Sequence, residues 1–390
     1  MNRKYIGAVL AAAIILSGCS AVPSESESTD ASQSSSTSTS STSSSQSSES
    51  ASSTTLSSYS SSTEESSSTE TLTSELQSEV SSSASSESSS TSSSSAGTPP
   101  MTVGKRIVVA KERTIPNGDT FYINSGEVLE VKGTLKVEDG ATVNVAEGGE
   151  LLVKGSVELD GELVLTKGSF LAMENDNASI DGKGSLVVKD SFEQIDCEHG
   201  KVKAHIKPPK RVVKDGVTTV GGVVIANKAI KLPPSYGSQL SDGEISPEVY
   251  SALTEMNSHS SHKYYIVSAY RSYYSQEVIF DRWCDIYGFD GASQISAQAG
   301  HSEHQTGLTM DLDSLEESYA DTAEGKWLAQ NCWKYGFIIR YPKGKEDITG
   351  YSYEPWHVRY LGKSTASLVY HSGLTLEEFL DVEGGTVVID

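Results

Sequence analysis

Two short stretches about fifty residues apart carry the side chains best able to do chemistry. They are Ser302-Glu303-His304-Gln305-Thr306-Gly307-Leu308-Thr309-Met310-Asp311 and Glu354-Pro355-Trp356-His357. Among the side chains they supply are two imidazoles, a carboxylate and a further glutamate. Zinc in hydrolases is usually held by three N/O side chains at about 2.0–2.2 Å, with the fourth position left for water, and a nearby carboxylate takes that water's proton. His304, Asp311 and His357 fit the ligand roles and Glu354 fits the base. Placing base and ligand three apart, around Pro355, presents both to one water molecule. A lone Glu-x-x-His is weak evidence; the upstream block is what gives it weight.

The elements that must position these groups fall in the last part of the chain, from 218 to 385, which holds all four Trp and is long enough for one core. Residues 223–225 and 264–267 read as strands. Residues 247–259, with Ser246 as cap and Pro247 in the first turn, and 275–287 read as helices. Residues 307–312 are strand-like, 323–335 helical and 337–340 strand again. This mixed order without βαβ repetition predicts an α+β domain. A connector at 191–217, with Pro208-Pro209, precedes it.

Residues 101–190 have a different texture. Short apolar alternations such as Val128-Leu129-Glu130-Val131 and Thr134-Leu135-Lys136-Val137 are punctuated by Gly126, Gly133, Gly140, Gly148, Gly155, Gly161 and Gly168. Strands of four or five residues with a glycine turn at each step, three steps to roughly 21 residues, predict a small all-β domain, a right-handed β-solenoid. A meandering antiparallel sandwich is the alternative. No His/Asp/Glu cluster falls here, so a spacer or wall-binding role is all that the composition supports.

The N-terminal hundred residues set an expected compartment. Asn2-Arg3-Lys4, an apolar run over 6–16 and Leu16-Ser17-Gly18-Cys19 read as a secretory signal over 1–19, ending in a bacterial lipobox with Cys19 as the acylated residue. Residues 20–100 are nearly all Ser and Thr and cannot bury enough surface to offset ordering, so a disordered tether is expected. About ten acidic residues there account for nearly half of the net charge of −22, and no basic patch invites nucleic acid. A lipid-anchored monomer on the extracytoplasmic face of a cell membrane, in a Gram-positive type of envelope, is the expectation.

In order along the chain, Asn227-Lys228, Ser268-Ala269-Tyr270-Arg271-Ser272, Ser302-x-His304-x-x-Gly307-x-x-x-Asp311, Tyr335-Gly336-Phe337, Arg340-Tyr341-Pro342 and Glu354-x-x-His357 resemble the zinc D-alanyl-D-alanine carboxypeptidases of the VanY type, peptidase family M15B of the LAS metallopeptidases. The resemblance covers about 223–375. Thr309 stands where the family usually has Ala, and Ala299 where Pro often precedes the glycine. It implies a Hedgehog/DD-peptidase-like α+β fold, Zn2+ on His304, Asp311 and His357, and removal of the terminal D-Ala from peptidoglycan stem peptides. A carboxypeptidase must also grip a free carboxylate, and a planar Arg fork does this best. Arg271 lies where the family places that arginine, and Gln276 and Ser302 could add hydrogen bonds to the same group.

Rival readings are few. A serine penicillin-binding enzyme needs S-x-x-K with K-T-G, and the S-x-x-K at Ser260 to Lys263 has no K-T-G to join it. An L,D-carboxypeptidase acting on tetrapeptide stems shares the zinc motifs, and a non-catalytic wall-binding lipoprotein would carry a decayed site. His259, His262 and His371 read as surface histidines, His301 as a neighbour of the site, and Trp356 as packing first. Cys284 and Cys332, in two predicted helices, read as buried thiols, with a disulfide as the alternative; Cys197 has no evident partner.

Overall fold

A computed structural model describes residues 105–385, which belong to one compact unit. The signal, Cys19 and the Ser/Thr-rich tether lie outside the described residues. From Arg106 to Lys207 the chain winds as a β-solenoid of three parallel ladders, each five strands long. One ladder runs Arg106–Val109, Val128–Val131, Glu150–Val153, Phe170–Met173 and Ile195–Asp196, with Leu129, Leu151, Leu171 and Ile195 in register. Strand pairing within these ladders is parallel throughout, which excludes the antiparallel sandwich. Along each strand the second and fourth residues point inward, so columns of Leu, Val and Ile fill the interior.

Two kinds of glycine set the corners. Gly126 has φ +74, a conformation that costs other residues dearly. Gly133 is required by close approach instead: a Cβ there would lie 1.7 Å from the Lys111 carbonyl oxygen of the preceding coil. The ladders also continue past 190. Ile195–Asp196, Lys201–Val202 and His205–Lys207 form a last coil inside the stretch read as a connector, because their apolar residues stack on the coil before them. A three-stranded antiparallel sheet, Val212–Lys214, Val217–Val220 and Val223–Val224, then leads into the C-terminal domain.

That domain is built on an antiparallel sheet in the order Ile266–Ser268, Thr309–Leu312, Glu354–Tyr360, Phe337–Tyr341. The helix Pro247–His259 starts as its Ser246 cap and Pro247 predict and lays Val249, Leu253 and Met256 against Met310, Leu312, Phe337 and Val358. The helix expected at 275–287 runs from Tyr273 to Ile295, broken at Gly288, where φ is +70. The segment expected to be helical to 335 ends as an α-helix at Asn331 and tightens into a 3-10 turn, Cys332–Tyr335. Glu354–Tyr360 is a strand that the sequence conceals, because Pro355 has no N–H to give. It fits at the end of the strand, beside a register shift between Ile339 and Tyr341.

Solenoid and C-terminal segments share one core. Helices Lys363–Ser372 and Leu376–Leu380 lay Ala366, Leu368, Val369, Leu376, Phe379 and Leu380 into the cluster that also holds the solenoid columns. Phe192 meets Phe379 with ring centroids 5.2 Å apart, and the Cys197 amide donates to Ser364 Oγ at 3.0 Å. Cys197, Cys284 and Cys332 are all free thiols, Cys284 only half-buried. Cutting the chain at 218 would uncover this seam. A 218–385 fragment is therefore expected to aggregate or melt well below 105–385, and Phe192→Ala in the longer chain to cost about 3–5 kcal/mol. Size-exclusion chromatography and thermal melts check this, and equal melting temperatures would refute it.

Candidate active site

Strand register does the first part of the assembly. Thr309–Leu312 pairs antiparallel with Glu354–Tyr360 so that Asp311 stands directly opposite His357. His304 comes from the 3-10 turn Glu303–Thr306, which closes on Gly307 in the left-handed region at φ +69. A Cβ at Gly307 would also meet the terminal Leu240 Cδ1 at 2.4 Å, which could turn aside, so it is the left-handed backbone that calls for glycine there.

The result is a buried trio. His304 Nε2 lies 3.3 Å from Asp311 Oδ2, and His357 Nδ1 lies 3.1 Å from Asp311 Oδ1. One donor atom from each of the three falls within 4.8 Å of the others. The Ala269 carbonyl, 2.7 Å from His304 Nδ1, can only accept, so that nitrogen carries the proton and Nε2 turns its lone pair toward Asp311. Burial lowers the pKa of His304 and keeps it neutral, the form that binds metals. Asp311 Oδ1 is buried without a hydrogen-bond partner, since His357 is near it but not in hydrogen-bond geometry. A carboxylate oxygen in that condition is costly unless a cation completes it. Two nitrogens and an oxygen, all buried and one of them orphaned, fit a single divalent cation.

Around the trio the charges are arranged in layers. Glu354 Oε2 is 3.2 Å from His357 Nδ1, and its side chain is 23% exposed, so it reaches the trio from the solvent side. Glu303 approaches from within, with Oε2 3.8 Å from His357 Nε2. Burial opposes a charged His357, but the carboxylates of Asp311, Glu303 and Glu354 around it outweigh that and raise its pKa well above the usual value. Burial also opposes the Asp311 carboxylate, yet the two imidazoles hold its pKa well below the ordinary range. Tyr341 packs on the His357 ring at 4.7 Å, while Trp356 turns toward the core on the other side of the sheet's pleat.

Glu303 is the site residue that sequence reasoning passed over. It is 1% exposed, and its Oε1 accepts from Arg340 Nε at 2.8 Å and Arg359 Nη1 at 2.9 Å. Arg340 in turn grips Glu377 with two hydrogen bonds, 2.8 and 2.5 Å. The available signal was a glutamate next to His304 with two arginines on strand-like segments downstream.

Arg271 follows the edge strand Ile266–Ser268. Its guanidinium donates to Gln276 Oε1 at 2.8 Å and to Ser268 Oγ at 3.0 Å. Burial lowers its pKa, with Asp311, Asp242 and Glu354 opposing, and the group stays charged. Gln276 has a different task from the expected one. Its amide donates to the Ala297 carbonyl at 2.6 Å and to Ser296 Oγ at 3.2 Å, so both ends of the side chain are engaged and it orients Arg271 instead of offering a donor to a ligand. Ser302 is buried at the start of the His304 turn and makes no capping bond to it. His301 is buried, with Nδ1 2.8 Å from the Asn227 carbonyl. His262 is not a bare surface histidine: its Nε2 lies 2.8 Å from Asp313 Oδ2.

Residues 243–363 match the family model VanY, D-alanyl-D-alanine carboxypeptidase. A putative carboxypeptidase of Bacillus subtilis, YodJ, is 53% identical over 121 residues, which are 30% of this chain and 44% of that protein. The bifunctional D-Ala-D-Ala dipeptidase and D-Ala-D-Ala carboxypeptidase VanXYC of Enterococcus gallinarum is 35% identical over 130 residues, 31% of this chain and 68% of that one. The chain belongs to the VanY-type carboxypeptidase family. It spans about half the length of the first curated relatives it matches. Among solved structures, the LdcB LD-carboxypeptidase is 39% identical, with 45% of this chain and 95% of that chain covered and a TM-score of 0.39.

The His304–Asp311–His357 trio stands on the Glu303 network. Burial alone would raise the pKa of Glu303, but Arg340 and Arg359 hold it far below the ordinary carboxylate range. Its stabilisation is therefore complete above the unfolded pKa, near 4.5, and drains away as pH falls below it. Glu303→Gln should cost about 3–5 kcal/mol at pH 7, because two buried guanidiniums lose their shared anion. The deficit should shrink on acidification below pH 4.5. Denaturant melts of both forms across pH check it, and a deficit that is constant with pH would refute the assignment.

Proposed function

We propose that this chain is a zinc-dependent D-alanyl-D-alanine carboxypeptidase that removes the terminal D-Ala from peptidoglycan stem peptides. The observation that carries this reading is the orphaned Oδ1 of Asp311, whose carboxylate lies between two imidazoles, with Glu354 on the solvent side and the Arg271 fork nearby. His304, Asp311 and His357 would hold the ion. When bound, zinc supplies Lewis-acid polarisation of a carbonyl and makes water more acidic.

The chain's own residues do the rest. Glu354 takes the proton of the attacking water and delivers it to the leaving amine. Arg271 pairs with the free carboxylate of the terminal residue, and Ser268 and Gln276 hold its fork in the pairing orientation beforehand, so little freedom is lost on binding. Ser302, at the start of the His304 turn, would be a further hydrogen-bonding group. Membrane attachment through an acylated Cys19, with 20–100 as a tether on the extracytoplasmic face, completes the reading.

One experiment tests the chemistry. The 105–385 protein is incubated with a pentapeptide stem, its C-terminal amide and a tetrapeptide stem, and products are identified by mass. Release of D-Ala from the pentapeptide acid, abolished by chelator and poor on the amide, is expected. Release from the tetrapeptide alone would move the assignment to L,D-cleavage. Glu354→Gln should keep its metal and lose at least ~10²-fold in kcat; near-normal turnover in that variant would remove Glu354 from the role of base. Location is tested separately. Cys19→Ser should shift the protein from the membrane to the soluble fraction, and unchanged membrane retention would contradict acylation there.

A further inference from the structure

Lys228 is a buried cation to which no step above gives a task. It is 5% exposed, and its ammonium donates to the Ser293 carbonyl in the last turn of the helix Tyr273–Ile295. Carbonyls there have no intrahelical partner, and the helix dipole favours a cation. The ammonium also lies over the Tyr351 ring, 4.1 Å from its centroid. Tyr351 packs on Tyr341 with centroids 4.7 Å apart, and Tyr341 packs on His357 at the same separation. Lys228, Tyr351, Tyr341 and His357 thus form one continuous chain of contacts, the rings tilted by 41° and 49° to one another, that ends at the metal-binding trio.

The lysine stem has little room to wander. A Cβ on Gly350 would come within 2.7 Å of Lys228 Cδ and 3.0 Å of Cε, so the hydrogen in place of a side chain is what admits the stem. Burial lowers the pKa of Lys228 to about 8, with Glu354 opposing, so the group remains mostly charged at neutral pH. An apolar side chain of similar volume would avoid the desolvation cost of this cation. Retaining the charge makes physical sense if the cation–π contact has work to do, since such contacts strengthen when desolvated.

We propose that Lys228 is a positioning residue: held by the Ser293 carbonyl, its ammonium pins Tyr351, and through Tyr341 it fixes the orientation of the His357 ring as a metal ligand. The charge acts at one end of this chain of contacts and the ligand geometry is set at the other. This inference rests on the zinc reading above, and its test compares variants with the unaltered protein so that the two can fail separately.

The variants are Lys228→Met, Tyr351→Leu, their double and Tyr351→Phe, all in 105–385. Three quantities are read per folded molecule: metal affinity, the absorption spectrum of the cobalt(II)-loaded site, and kcat against KM on the pentapeptide. Lys228→Met and Tyr351→Leu should each lose about 10- to 100-fold in metal affinity or kcat, the usual scale for groups behind a ligand. Both should change the cobalt spectrum and leave KM within about threefold, because Arg271 is untouched. The double variant should lose no more than the worse single. Tyr351→Phe, which keeps the ring, should lose less than threefold.

A Lys228→Met protein with unaltered metal affinity, spectrum and kcat overturns the proposal, as do losses that simply add in the double. If Lys228→Met fails to fold, the two Tyr351 variants decide: equal effects of Phe and Leu overturn it, and a ring-dependent loss supports it. Unaltered protein that binds no metal would sink the zinc reading itself and this inference with it.

Discussion

The buried ion network centred on Glu303 is the constraint on which the rest of the peptidase domain depends. Its carboxylate joins Arg340 and Arg359, from two neighbouring strands, to the turn that carries His304, and Arg340 extends the network to Glu377 on the last helix. Arg340 and Arg359 are each about 1% exposed, so none of these charges has bulk water to fall back on. Breaking one member leaves a buried charge short of a partner, which is costly in a site without water. The same residues that set the angle between turn and sheet also set the electrostatic background of His357. Fold and site are specified by one set of interactions.

Much of the site was legible because its members lie in short local blocks. His304 and Asp311 are seven residues apart, and Glu354 and His357 three, so type and spacing alone single out two segments as a candidate metal site with a candidate base. What spacing cannot give is long-range complementation. Glu303 depends on arginines 37 and 56 residues away. Gln276 looked like a ligand-binding amide until the fold-back at Gly288 brought Ser296 and Ala297 against it and used its donors. Lys228 meets Ser293 across 65 residues, a contact that no local pattern could announce.

The fold shows the same division. Glycines at a steady spacing and four-residue apolar strands were enough for the solenoid, because each coil repeats one local rule. Its end was harder to place. Past 190 the strands shorten to two or three residues and the glycine rhythm lapses, yet Ile195, Val202 and Ile206 still fill the interior columns. The strand Glu354–Tyr360 was hidden by Pro355 for the opposite reason: a local veto was overruled by a sheet that needs no hydrogen bond from that position.

The coil-by-coil build of the solenoid has a mechanical consequence. The described chain enters at the first coil, and the peptidase is fused to the last, four strand spacings away, roughly 20 Å. Tension applied through the residues before 105 would fall first on the outermost strands, which have a neighbour on one side only. Such a stack yields by peeling, one coil at a time, because each coil contacts only its neighbours. The outer coils would act as a sacrificial fuse, spending their extension before load reached the seam at Phe192 and Phe379 or the His304–Asp311–His357 geometry beyond it.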